Sequence, residues 1–277
     1  GEIRDRMAGG KGSMPLVGSA VYMTSKPQLE EPGVDENGNA VERRPFLYQT
    51  PEDILIKASN GASDFGNKFG QPLIVGSLLT FEHEEAGELT GYDKVIMLAG
   101  GVGYGVKASA IKGKPSAGNL LVLMGGDNYR IGMGGGAVSS VETGKYTNSI
   151  ELNAVQRANP EMQKRVYNVV RALAESKDNP IISIHDHGAG GHLNCFSELV
   201  EDTGGTIYLD KLPKGDPTLS DMELIGNESQ ERMGLVVREK SIPLISKIAS
   251  RERAPMYVVG EVKGNHKLTF EGDDERK

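Results

Sequence analysis

Short apolar runs bounded by glycine or proline alternate along this chain with longer stretches whose apolar positions recur at helical spacing. PLVGSAVY from Pro15 to Tyr22, PLIVGSLLTFE from Pro72 to Glu82, VIMLAGG from Val95 to Gly101 and NLLVLMGG from Asn119 to Gly126 predict strands. Thr50 as N-cap, Pro51 at the first position, acidic Glu52 and Asp53 behind it and Gly70 as the stop predict a helix. Ile54, Leu55, Ala58, Ala62, Phe65 and Phe69 form its apolar face, and Gly61 and Gly66, each costing about 1 kcal/mol against alanine, predict close packing against another element. A second helix starts at the Asn159 cap and Pro160, with Met162, Val166, Val169, Val170 and Leu173 on one face.

PIISIHD from Pro180 predicts a buried strand ending at Asp186, followed by a glycine turn, Gly188 to Gly191, into a helix carrying Leu193, Phe196, Leu199 and Val200. MGLVVRE from Met233, SIPLISKIASRE from Ser241 and PMYVVGEV from Pro255 predict a strand-helix-strand unit. The polar stretch Lys26 to Arg44 reads as a long surface loop. Strands alternating with helices indicate an α/β or α+β chain, and the polar turn Lys112 to Gly118 is the best lobe boundary, giving lobes 1–113 and 114–277.

Composition narrows the function classes. With 277 residues and 38% apolar content the chain can bury a sizeable core, and 31 basic against 38 acidic residues argue against a nucleic-acid or membrane-surface footprint. A single cysteine, Cys195, excludes an internal disulfide and predicts a cytoplasmic protein; no run has the length of a membrane span. Glycine, at 37 residues, is about twice its usual share. Its clusters, GGVGYG from Gly100 and GMGGGA from Gly132, do not complete G-x-G-x-x-G or the P-loop pattern, and the looser form ending in alanine, from Gly103 and from Gly132, is a weak signal in so glycine-rich a chain, so each reads as a tight turn or close packing before a phosphate cradle.

The stretch HDHGAGGH, from His185 to His192, is the most chemical of the motifs. Asp186 at a strand's carboxyl end, beside a helix N-terminus, either caps that helix or holds Mg²⁺ next to a phosphate. Zinc fits poorly, because His185 and His187 have no third nitrogen or sulfur ligand in register. NESQER, from Asn227 to Arg232, reads as a solvated turn unless something pairs it; Glu228, Ser229 and Gln230 suit a polyhydroxyl ligand such as ribose. GEIRD, from Gly1 to Asp5, alone reads as a surface salt bridge near a ragged end.

Taken in order, GEIRD, FGNKFGQP (from Phe65), IGMGGGAVSS (from Ile131), AVQRANPEM (from Ala154), HDHGAGG and NESQER closely resemble the phosphoribosylformylglycinamidine synthase family. The resemblance implies a two-lobe fold with mixed sheets and packed helices, shared with aminoimidazole ribonucleotide synthetase, of which this chain would be part of the first of two tandem copies. It implies an ATP- and Mg²⁺-dependent ligase that converts formylglycinamide ribonucleotide, with ammonia from a fused or separate glutaminase, to the amidine. By matched motif, Asp5 and Asp186 resemble metal ligands, and Arg4, Gln156, Glu228, Ser229 and Gln230 resemble substrate-binding positions. Gly1, Glu2, Ile3, Arg4, Asp5, Val75, Gly76 and Ser77 resemble nucleotide-binding segments. The family's catalytic histidine and a further metal-ligand glutamate lie upstream of GEIRD, so a fragment starting at Gly1 is expected to be inactive alone. His185, His187 and His192 are expected to be incidental, His187 standing where the family looks apolar. A homodimer is a further expectation. The alternatives are a related synthetase and a non-catalytic structural or nucleotide-bound regulatory lobe.

Overall fold

The computed structural model describes residues 1–27, 37–39, 49–92, 96–141, 145–155, 158–229 and 231–272. Gln156, Gln230 and most of the expected loop between Lys26 and Arg44 lie outside them. The chain divides into two compact units: Gly1–Pro15 with Gly103–Lys277, and Leu16–Val102.

In the smaller unit, β1 (Met14–Thr24), whose first two residues belong to the larger one, pairs in parallel with β2 (Leu73–Thr80). A third strand, β5 (Ile96–Tyr104), completes the order β2-β1-β5. The expected first helix is present as Pro51–Phe69, here α2 after the short α1 (Glu2–Met7). Thr50 accepts the Asp53 N–H at its start, and Gly70 closes it in the left-handed conformation. Of its two internal glycines, Gly66 sits where a side chain would meet the Gln71 carbonyl of the helix's own closing turn. Gly61 faces open space, so the expected packing of both glycines against another element does not occur. A hairpin, β3 (Glu82–Glu85) and β4 (Glu88–Gly91), follows β2; its acidic composition left no apolar alternation to read.

The larger unit is built on a six-stranded sheet in the order β11-β8-β10-β6-β9-β7. These are β6 (Leu120–Met124), β7 (Ile181–Asp186), β8 (Gly205–Tyr208), β9 (Met233–Val237), β10 (Met256–Val262) and β11 (Leu268–Glu271). Only β8 and β11 run parallel; every other neighbouring pair is antiparallel. The predicted strand-helix-strand unit is β9, α8 (Ile242–Glu252) and β10, with β6 inserted between its two strands. Of the remaining helices, α5 (Pro160–Ala174) is capped by Asn159 as predicted and packs against α8. α6 (Gly191–Leu199) packs on β7 and β9. α3 (Gly135–Ser139), α4 (Asn148–Asn153) and α7 (Asp221–Ile225) are short.

Period-two alternation explains how the central strands are buried on both faces. Leu121, Leu123, Ile182 and Val236 join Phe196, Leu199 and Cys195 of α6 in one core, while Val122, Met124 and Ile181, of opposite parity, are equally buried. Each fully buried leucine or phenylalanine contributes about 1.5–3 kcal/mol. Leu193, expected on the apolar face of α6, is instead half exposed.

Strand register decides where the loops go. Met124 at the end of β6 and Asp186 at the end of β7 both pair with Met233 at the start of β9, and Met256 at the start of β10 pairs with Met124. The glycine loop after β6, the GAGG turn after β7 and NESQER before β9 therefore converge at one end of the sheet.

Candidate functional site

Arg4 is the first residue this convergence explains. α1 lies against β7, and Arg4 is 4% exposed, its Nη1 donating to the His187 carbonyl at 2.6 Å and standing 3.2 Å from Asp186 Oδ2. GEIRD is thus not a surface salt bridge. Ile3 of the same turn is core, Glu2 is bound by Arg6, and Asp5 is exposed.

Asp186 occupies the predicted strand tip and is buried. The alternative in which it caps the following helix does not hold: Gly190 is the N-cap of α6 and makes no side-chain cap. Instead Glu228 Oε1 accepts the N–H of Gly190 at 3.0 Å and that of Gly136 at 3.4 Å. The anion lodged between the two glycine loops is the protein's own carboxylate, so these loops do not form an open phosphate cradle.

Close approach is also why the glycines are there. A side-chain carbon at Gly132 would fall 2.0 Å from the Glu228 carbonyl oxygen, and one at Gly191 2.4 Å from that of Asn227, both at positive φ. The Glu228 N–H donates to the Gly132 carbonyl at 2.8 Å, stitching the two segments together.

NESQER is not solvated either. Asn227, Glu228, Ser229, Glu231 and Arg232 are all buried, because the segment enters β9 beneath both glycine loops. The histidines fare similarly: His187 and His192 are fully buried, with His187 Nε2 3.0 Å from His192 Nδ1. They are structural members of the site rather than incidental. Burial, the largest cause, pushes both imidazoles well below their ordinary range, and the Arg232 guanidinium adds to it. His185 lies at the rim, its Nε2 3.1 Å from Glu198 and its Nδ1 2.9 Å from the Asp186 carbonyl oxygen and 3.5 Å from Asp186 Oδ1. Cys195 is buried beside β9, and burial raises its thiol well above the usual range, which removes it as a nucleophile.

Three polar atoms here are buried with no hydrogen-bond partner among the described residues: Arg4 Nε, His187 Nδ1 and Ser229 Oγ. An orphaned buried polar atom calls for a partner, an ordered water or a bound group being the usual ones. Of the other expected residues, Val75, Gly76 and Ser77 lie on β2 in the smaller unit, Val75 being 58% exposed. Gln156 and Gln230 are outside the described residues. Among the described residues no group of three or more histidine, cysteine, aspartate or glutamate side chains could hold a metal, and no helix is long and apolar enough to cross a membrane. Burial of Arg4 was not readable beforehand; the only signal was an arginine within an amphipathic turn.

Comparison with known proteins agrees with this architecture. The family described as AIR synthase related protein, C-terminal domain, matches residues 116–273. Phosphoribosylformylglycinamidine synthase of Dictyostelium discoideum is 39% identical over 273 residues, covering 96% of this chain and 20% of its own length. The enzyme of the same name from Homo sapiens is 36% identical, covering 99% of this chain and 21% of its own. The chain thus spans about a fifth of these relatives. Among solved structures, Thermotoga maritima PurL complexed with FGAR superposes with a TM-score of 0.72 at 24% identity, covering 98% of this chain and 39% of that one. The same protein complexed with ATP gives 0.65 at 21% identity, covering 98% and 37%. Escherichia coli HypE, a hydrogenase maturation protein, gives 0.62 at 13% identity, covering 99% and 75%, so the fold is wider than one activity. By the family match over more than half of its residues, the chain belongs to the AIR synthase related family and is similar, along almost its whole length, to one segment of phosphoribosylformylglycinamidine synthases.

Proposed function

We propose that this chain supplies a ligand-binding segment of an ATP-dependent carbon–nitrogen ligase that converts formylglycinamide ribonucleotide to its amidine in purine biosynthesis. In that reaction the amide oxygen of the ribonucleotide takes the γ-phosphoryl group of ATP, ammonia attacks the activated carbon, and phosphate leaves with that oxygen. Ammonia comes from glutamine through a glutaminase domain, fused or separate. Turnover is assigned to the whole protein and binding to this segment, a fifth of its relatives' length; alone it is proposed to be inactive. Within it we assign 1–113 to the end of a first lobe and 114–277 to a second.

The observation that carries this reading is the buried Arg4–Asp186 pair at the sheet end where the segment bearing Ser229 also arrives, with Arg4 Nε and Ser229 Oγ buried and unsatisfied among the described residues. Arg4 would pair with a phosphate of the ribonucleotide, and Glu228, Ser229, Gln230 and Gln156 with its ribose and amide. The turn Gly1 to Asp5 and the strand residues Val75 to Ser77 are assigned to the nucleotide. Asp5 and Asp186 fit Mg²⁺ only as two carboxylates whose remaining ligands come from phosphate oxygens and water, since the described residues offer no larger cluster. The ion would neutralise phosphate charge. A cytoplasmic location accords with a lone buried cysteine. Exposed Ile74 and Leu78, on one face of β2, offer an apolar surface for self-association.

Calorimetric titration of formylglycinamide ribonucleotide into the chain and into Ser229→Ala tests the reading. The Ser229 hydroxyl has no partner among the described residues, so its removal should leave stability unchanged and weaken the ribonucleotide by about tenfold, or 1.4 kcal/mol. No binding by the parent chain, or equal binding by the variant, refutes it.

A further inference from the structure

The largest fully buried side chain in the site is a cation. Arg232 donates through Nη2 to the Asn227 main-chain carbonyl at 2.8 Å and to its side-chain oxygen at 2.7 Å. Through Nη1 it donates to Asn128 Oδ1 and lies 3.0 Å from His192 Nε2. Asn128 cannot turn away, because its amide donates to the Pro213 carbonyl at 2.8 Å. Asn227 passes the constraint on, its amide donating to the carbonyls of Tyr129 at 2.6 Å and Ile131 at 3.0 Å.

The histidines extend the network: His192 Nε2 stands 3.0 Å from Arg232 Nη1 and 3.1 Å from Asn128 Oδ1, and its Nδ1 is 3.0 Å from His187 Nε2. His187 in turn carries the backbone carbonyl that Arg4 holds. One cation therefore links the loop from Asn128 to Met133, the turn from His187 to His192 and the NESQER segment.

We infer that Arg232 is a positioning residue: it touches no ligand but holds the two glycine loops and Glu228 in register around Arg4, Asp186 and Ser229. A buried charge is costly, and an apolar residue of similar volume would serve stability as well or better. What the apolar residue could not supply is a fork that fixes Asn128, Asn227 and His192 at once. The ligand part of this inference rests on the function proposed above; the loop part does not.

The test is amide hydrogen exchange in Arg232→Met and Arg232→Lys, read at Gly136 and Gly190 against Val122 and Leu235 in the sheet. Both variants should lose about tenfold or more protection at the two glycines relative to the two sheet residues, and ribonucleotide affinity should fall about tenfold with them. A lysine cannot span the acceptors, so it should not rescue. Should either variant unfold, Asn128→Ala removes a single acceptor and is read at the same four amides. Retained protection at Gly136 and Gly190, or loss only in parallel with Val122 and Leu235, overturns the inference. Exchange that behaves as expected while the parent chain binds no ribonucleotide overturns the proposed function and leaves the positioning role standing.

Discussion

Arg4 and Asp186 form a buried ion pair at 3.2 Å that ties the N-terminal helix to the tip of β7. Arg4 also donates to the next carbonyl along, that of His187, so the helix is docked at two consecutive residues. The pair joins the two motifs richest in assignable chemistry, and the remaining features of the corner are arranged around it.

Removing one partner of such a pair leaves the other charge buried. Asp186→Asn should therefore destabilise the chain by about 3–5 kcal/mol, measured by urea unfolding. An isosteric amide that left stability unchanged would mean that the pair is solvated.

Acid sensitivity should follow from the histidines. His192 is held neutral well below the ordinary imidazole range, by burial first and Arg232 second, so below about pH 6.5 the unfolded chain binds a proton that the folded chain refuses. Its contribution is complete above that pH and is lost as pH falls, with a slope of up to about 1.4 kcal/mol per pH unit for each such histidine. Unfolding free energies at pH 7.5, 6.5 and 5.5 should show this loss and a shallower slope in His192→Gln. A flat profile would contradict the burial.

The glycines divide into two classes. Gly132→Ala and Gly191→Ala put a methyl group into backbone carbonyls of the Asn227–Glu228 segment at positive φ, and each should cost more than about 2 kcal/mol. Gly61→Ala, in open space on α2, should stabilise by about 0.4–1 kcal/mol. Thermal melts of the three variants check the division.

Local signals were legible from the residues alone. The caps at Thr50 and Asn159, the left-handed Gly70 and the buried strand leading to Asp186 all depend on near neighbours in sequence. The four-residue strands at Gly205 and Leu268 were missed, because neither is long enough to show a period. What sequence could not reveal was long-range: that Arg4 crosses to Asp186, that Glu228 fills the glycine loops, and that His187, His192 and Arg232 share one buried network. A polar run such as NESQER has the same local pattern whether it faces water or lies beneath two loops. Only the register of β6, β7 and β9 decides between them.

Arg4, Asp186 and Ser229 are proposed to receive the ribonucleotide. The side-chain Nε–H resonance of Arg4, followed by NMR during titration with formylglycinamide ribonucleotide, tests this most directly. Arg4 Nε is buried and has no partner among the described residues, whereas Arg6 Nε donates to Glu2 at 2.7 Å and serves as the internal reference. The account predicts a saturable shift of the Arg4 signal with the Arg6 signal unmoved; an Arg4 signal that stays in place at saturating ligand would contradict it.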